Sequence, residues 1–210
     1  MIKFFVVSLG LLVSLVCAEV SAQESRTLSV NTYQTTAGGN IRSCELSFSV
    51  SGQDFLYKDG AEIVANGNLA VFKTPIESSG PIIFGFKLKV YDNISGNYVP
   101  ARISQTHLSL SDGTIWKSEN QFIADGDAPG VRIHTLFLND EASKFIDQLF
   151  SSGTFGLAFN REDQGPDVPL AVNVKQIFKD EHKLIDGNNE LIKLIECFGL
   201  MLNDIKETEK

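Results

Sequence analysis

Three histidines, His107, His134 and His182, are the side chains best suited to acid–base or metal chemistry near neutral pH. No two of them stand at His-x-His or His-x-x-x-His spacing, so no strand face or helix turn pairs two imidazoles for a metal. His107 and His134 fall in stretches that read as strands. His182 lies in the charged linker Lys179-Asp180-Glu181-His182-Lys183. A hydrolase acting on wall or sugar substrates would need His107 or His134 to converge with an Asp or Glu in one pocket. There is no Gly-x-Ser-x-Gly elbow and no Gly-x-x-x-x-Gly-Lys-Ser/Thr phosphate loop, so no motif encodes a reaction or implies a cofactor.

Oxygen ligands collect in two loops. Asp125 and Asp127 form one set, and Asp186-Gly187-Asn188-Asn189-Glu190 the other. A hard cation would suit them, yet the twelve-residue EF-hand spacing is missing, and Asp or Asn beside Gly is what turns require for backbone reasons. The densest polar cluster between two expected strands runs from Asn160 to Asp167. Within it Asn160, Arg161, Glu162, Asp163 and Asp167 form a candidate binding loop. Arg161 would either take a carboxylate or pair with Glu162 or Asp163 across its own turn.

Sulfur chemistry depends on the first segment. Lys3 precedes the uncharged run Phe4–Ala18, and Val20-Ser21-Ala22 offers small residues to a signal peptidase, so cleavage is expected after Ala22. A membrane anchor and a lipoprotein lipidated at Cys17 are the alternatives. The apolar run is short for the first, and Val16 is an unsuitable neighbour for the second. After cleavage Cys44 and Cys197 are the only pair left, and an oxidising compartment would join them. No later stretch is long and apolar enough to span a membrane, so none is expected in the mature chain.

The 210-residue chain is 43% hydrophobic and 21% charged, values that exclude a disordered or coiled-coil protein. Its net charge of −8 survives loss of residues 1–22, which remove one base and one acid. So acidic a chain lacks the cationic field that a nucleic-acid partner demands.

The elements that must position these residues are mostly strands. Residues 23–43 read as a polar leader with one short strand, Thr27 to Tyr33. Cys44, Leu46, Phe48 and Val50 alternate with polar residues, the period of a half-buried strand. Asn66-Gly67-Asn68 reads as a turn before a strand at Leu69–Lys73. Ile82–Asp92 is the strongest strand, and Tyr98–Ser111 is expected to be one more. Asp112-Gly113 reads as a hairpin turn leading to Thr114–Lys117. Strands are expected at Val131–Leu138, Thr154–Asn160 and Val168–Val174. Helical spacing predicts a helix from Asn139 or Asp140 to Phe150, ended by Gly153. A second helix spans Asn189 to Asp204, with Leu191, Ile195, Phe198 and Leu202 on one stripe, Leu194 and Met201 beside them, and Cys197 next to that stripe. Residues 206–210 form a charged tail. The whole predicts a mainly β domain over residues 44–205, an antiparallel β-sandwich or partly closed barrel with two helices in the C-terminal third.

An exported N-terminus with an early strand cysteine, the unit Phe145–Gly153 followed by Thr154–Phe159, and a closing helix bearing Cys197 together carry a weak resemblance. The chain resembles small bacterial periplasmic β-sandwich proteins, the invasion-associated locus B family and the type VI secretion accessory proteins. That resemblance implies a non-catalytic envelope or secretion-associated protein. With it, the leading expectation is a periplasmic or secreted protein that binds an envelope or secreted protein partner. The partner would be met along a sheet edge or at the polar loops of one end. A small-ligand or sugar-binding module, with Trp116, Tyr91 or Tyr98 lining a groove, is the alternative to this and to the hydrolase.

Overall fold

Residues 25–73, 82–110, 115–116, 122–125, 130–137, 140–180 and 183–208 are described by a computed structural model. Expectations placed on residues 1–24, on Asp112-Gly113, on Asp127 and on His182 lie outside them.

Alternation of apolar and polar residues builds the large sheet. Its strands are β1 (Arg26–Ala37), β2 (Asn40–Asp54), β3 (Ala61–Lys73), β4 (Ile82–Ile94), β5 (Asn97–Pro100), β8 (Phe122–Asp125) and β9 (Val131–Phe137). They are antiparallel in the order β1-β2-β3-β4-β9-β8, with β5 paired to β4. Cys44, Leu46, Phe48 and Val50 of β2 face inward as their spacing requires, beside Leu69 and Val71 of β3 and Phe84, Phe86 and Leu88 of β4. A smaller antiparallel sheet lies against that face. It takes β6 (Gln105–Ser109), β7 (Ile115–Trp116), β10 (Thr154–Asn160) and β11 (Val168–Asn173) in the order β11-β10-β6-β7. Phe48 and Phe155 meet edge-on across the gap, their ring centroids 5.2 Å apart, so the two inner faces share one core. The protein is thus mainly β and antiparallel, with helices α1 (Asp140–Ser152) and α2 (Asn188–Thr208) near the C-terminus, and its sheets do not close into a barrel.

The two helices finish the core. Ala142, Phe145, Ile146 and Leu149 recur at helical spacing and are all buried. Phe145 packs against Phe84, Trp116 and Phe155, so α1 plugs the end of the sandwich opposite the turn after Asp54. Gly153 ends α1 at φ +71, donating its amide to Leu149 O at 2.9 Å, and a Cβ there would lie 2.7 Å from the Lys175 side chain. On α2 the buried residues are Leu191, Leu194, Cys197 and Met201, with Phe198 partly buried. Ile195, expected on the buried stripe, is 39% exposed. The disulfide explains that rotation. Cys44 and Cys197 are joined, with Cα atoms 5.9 Å apart, and the bond turns the Cys197 side of α2 onto β2.

Other departures have local causes. The leader is a full strand, because β1 pairs with β2 along its whole length. A register shift between Thr27 and Ser29 breaks its period and hides the signal. Asn66-Gly67-Asn68 is not a turn but the middle of β3. The Phe48 ring lies on Gly67, where a Cβ would sit 2.1 Å from Cζ, so glycine there serves packing. The expected strand Tyr98–Ser111 is two strands, since Ala101–Ser104 carries the chain from the large sheet to the small one. The charged linker holds a hairpin, β12 (Gln176–Asp180) with β13 (Lys183–Asp186), and Arg26 stacks over Phe178 of β12 at 5.9 Å. Helix α2 continues through Lys206 to Thr208, into the expected tail.

One side of the sandwich is closed by the chain itself. Ser25 Oγ accepts the Ala171 amide at 3.1 Å, and Thr27 Oγ1 accepts the Asn173 amide at 2.8 Å. Glu190 of α2 accepts the Thr32 amide at 2.7 Å. Outward-facing donors of two edge strands are thus taken.

Replacing both Cys44 and Cys197 by Ser is expected to lower the unfolding free energy by about 4–5 kcal/mol, the chain-entropy value for so long a loop. Urea denaturation checks it. In the native protein neither sulfur should accept an alkylating label before reduction, and both should after it.

Candidate functional site

The candidate loop lies at the end of the sandwich opposite α1, between β10 and β11. Three other connections meet it there: the turn after Asp54, the β4–β5 hairpin and the crossover Ala101–Ser104. Each of the five candidate residues has a definite place. Asn160 is buried and structural. Its Oδ1 accepts the Gln105 amide at 2.9 Å, its carbonyl accepts the Ser104 amide at 2.8 Å, and its Nδ2 donates to Asp167 Oδ1 at 3.3 Å. Asp167 also faces His107, whose Nε2 is 3.6 Å away. Asp163 Oδ1 accepts from Gln105 Nε2 at 3.3 Å, and Glu162 and Asp163 are exposed.

Arg161 reaches neither Glu162 nor Asp163. Its Nε donates to Asp54 Oδ2 at 2.7 Å, and its two terminal nitrogens donate to Asp92 at 2.6 and 3.2 Å. Asp54 ends β2 and Asp92 lies on β4, so a cation from the small sheet is held between two carboxylates of the large one. Asp54 is wholly buried, and its other oxygen accepts the amides of Leu56 and Tyr57 at 3.1 and 2.9 Å. Burial alone would lower the Arg161 pKa, but the hydrogen bonds and charges of Asp92 and Asp54 outweigh it and raise the pKa above its usual value. Tyr57 adds a further tie, donating its hydroxyl to Pro166 O at 2.7 Å. Sequence reading put Arg161 in the right loop but missed Asp54 and Asp92, which sit about 107 and 69 positions away.

Around this clamp lies an open cleft of about 630 Å³, lined by Tyr57, Lys58, Arg102, Arg132, Glu162 and Asp163 among others. Both charge signs are present, and Arg132 donates to Ile103 O at 3.2 Å. The tips of the two neighbouring turns are apolar. Phe55, Leu56, Ile94, Tyr98 and Val99 are each between 44% and 62% exposed. On the outer face of the sheet Glu62 of β3 ties down this hairpin, accepting from Asn93 Nδ2 at 2.8 Å and from the Tyr98 hydroxyl at 3.4 Å.

The histidines do not share a pocket. His134 is buried on β9 and shares a hydrogen bond with the Thr106 hydroxyl of β6, tying the two sheets. Desolvation, with smaller contributions from His107 and Arg132, lowers its pKa to about 4. His107 sits on β6 beside Asp167, and neither histidine lines the cleft. Trp116 is in the core against Phe84 and Phe145. Tyr98 is exposed, and Tyr91 is half-buried beneath Lys89, so these rings form no common groove. Among the described residues no three His, Cys, Asp or Glu side chains are placed to hold a metal. Asp186 and Glu190 serve the start of α2. Asp186 Oδ1 accepts the Asn188 amide at 2.9 Å, and Glu190 takes Thr32 and Lys193. Burial would raise the Glu190 pKa, yet Lys193 and Thr32 together lower it.

No family model, curated protein or solved structure matches this chain. The site's own geometry therefore carries the functional argument.

Arg161→Met should cost about 3–5 kcal/mol, because it leaves the buried Asp54 carboxylate without its cation. Chemical denaturation measures the loss. Acid should weaken the fold through His134. In the unfolded chain this imidazole takes a proton below about pH 6.5, while in the fold it stays neutral down to about 4. Its stabilisation is complete above the higher value and is lost as pH falls towards the lower one, by about 3 kcal/mol. Stability measured across that window should flatten in His134→Gln.

Proposed function

We propose that this protein is an exported, non-catalytic binding protein of the bacterial cell envelope, and that it meets another envelope or secreted protein at its loop end. One observation carries the reading. Large apolar side chains stand exposed on two adjoining turns beside a charged cleft, Phe55 and Leu56 on one and Ile94 and Val99 on the other, while Tyr98 lies on the outer face of the same hairpin with Asn93 and Glu62. An apolar patch rimmed by polar groups is the composition of a protein-recognition surface. The Asp54–Arg161–Asp92 clamp holds those tips in place before binding, which reduces the ordering cost of association.

Other features support the parts of this reading. The Cys44–Cys197 bond is suited to an oxidising compartment, and no helix among the described residues is long and apolar enough to cross a membrane. The uncharged run Phe4–Ala18 followed by Val20-Ser21-Ala22 has the pattern of an export signal. Between the two contact modes first expected, the exposed apolar turns favour the loop end, while along the β1–β11 side Ser25, Thr27 and Glu190 already occupy the amides of Ala171, Asn173 and Thr32. His134 is buried, and His107, though it lies beside Asp167, is not among the residues lining the cleft, which disfavours the hydrolase; the separation of Trp116 from Tyr98 disfavours a groove built on those rings.

A photo-crosslinking side chain placed at Leu56 or Val99 of the oxidised protein should capture a defined envelope protein, and Leu56→Ser should weaken the capture. The same probe at Leu184, exposed on β13, should not capture it. Equal capture from all three positions, or none from the loop end, would refute the proposal.

A further inference from the structure

Away from the loop end, the outer face of the large sheet carries a second depression of about 720 Å³. Register explains why a hollow forms there. Ser47, Asn68 and Lys87 lie side by side on β2, β3 and β4, and the next outward row is Glu45, Ala70 and Gly85. Ala70 and Gly85 are small, so that row is low between taller neighbours. Phe72 bounds it on the far side. Its ring lies over Gly85, where a Cβ would come within 3.1 Å of Cε1.

The polar side chains on this face are linked to one another. Thr35 and Ser43 share a hydrogen bond at 2.8 Å, and Ser43 Oγ donates to Glu45 Oε1 at 3.0 Å. Asn68 Nδ2 donates to Glu45 Oε2 at 3.1 Å and to Ser47 Oγ at 3.3 Å. The linkage fixes a planar amide and a planar carboxylate beside one aromatic ring, with Asn66, Lys87 and Lys89 along the opposite rim.

We propose that this face binds an oligosaccharide bearing carboxylate groups, of the uronic-acid type. A sugar ring offers C–H bonds to an aromatic face and hydroxyl pairs to amides and carboxylates. Phe72 provides the first, and Asn66 and Asn68 provide the second. Lys87 and Lys89 outnumber the one carboxylate on this face, Glu45, whose two oxygens already accept from Ser43 and Asn68, and they select for negative charge. The hollow matches the size of ordinary small-ligand sites, roughly 300–1,000 Å³. Its apolar side chains are Ala70 and Phe72, too little surface for a lipid or other apolar ligand. The site is separate from the loop end, and its occupancy does not depend on a protein partner there.

The test is a heteronuclear NMR titration of the oxidised protein with tri-galacturonate and with a neutral galactose trisaccharide. The expected result is a set of shift changes confined to outward residues of β2, β3 and β4. Binding of the neutral sugar should be weaker by about tenfold, and so should binding of the acidic sugar to Lys87→Glu. Lys87 is exposed, so this variant keeps the fold even if Phe72→Ala does not. No shifts with tri-galacturonate at millimolar concentration, shifts only at the loop end, or equal binding by Lys87→Glu would each overturn the proposal.

Discussion

A guanidinium held between two carboxylates of the opposite sheet governs how the loop end of this protein is built. Asp54 is wholly buried and Asp92 partly so, an arrangement that would be costly without a cation. Arg161 supplies that cation from the first position after β10, in a bidentate fork to Asp92 with a third bond to Asp54. Asp54 in turn orders the backbone of Leu56 and Tyr57, and Tyr57 reaches Pro166. One desolvated group thus sets the relative position of the β2–β3 turn, the β4 terminus and the loop between β10 and β11. Such pairs contribute more to specificity than to net stability, and here the specified object is a rigid rim of turns around a cleft.

Much of the architecture was legible in the chain, because burial of one face of a strand imposes period two. Cys44 to Val50 and Phe84 to Val90 announce their inward sets directly, and Thr154–Asn160 is a strand with the bounds read from its residues. Helix α1 was legible for the same reason at period 3.6, with Gly153 marking its end. What failed had non-local causes. The identity of Gly67 is decided by a phenylalanine on the adjacent strand, so an Asn-Gly-Asn triplet that alone would turn the chain runs straight. The buried stripe of α2 is rotated by a covalent bond to a residue 153 positions away. The loop 160–167 stood out by its density of polar residues, but the roles within it did not. Asn160 and Arg161 are spent on holding the end together, and the exposed surface around them comes from Phe55, Leu56, Ile94, Tyr98 and Val99, which no motif marks.

The two ends and two sides of the sandwich are used differently. Helix α1 fills one end with Phe145, and the other is left to turns. Along one side the side chains of Ser25, Thr27 and Glu190 take the amides of Ala171, Asn173 and Thr32. The outer face of the large sheet stays polar and accessible, with small residues at its centre. These choices leave surfaces for recognition while limiting unwanted strand pairing.

Consider finally when the covalent clasp between β2 and α2 can close. One thiol is present almost from the start of the β-structure, and the other follows every described strand. The bond cannot form until both have been made, so the earlier thiol must stay unreacted until its distant partner appears.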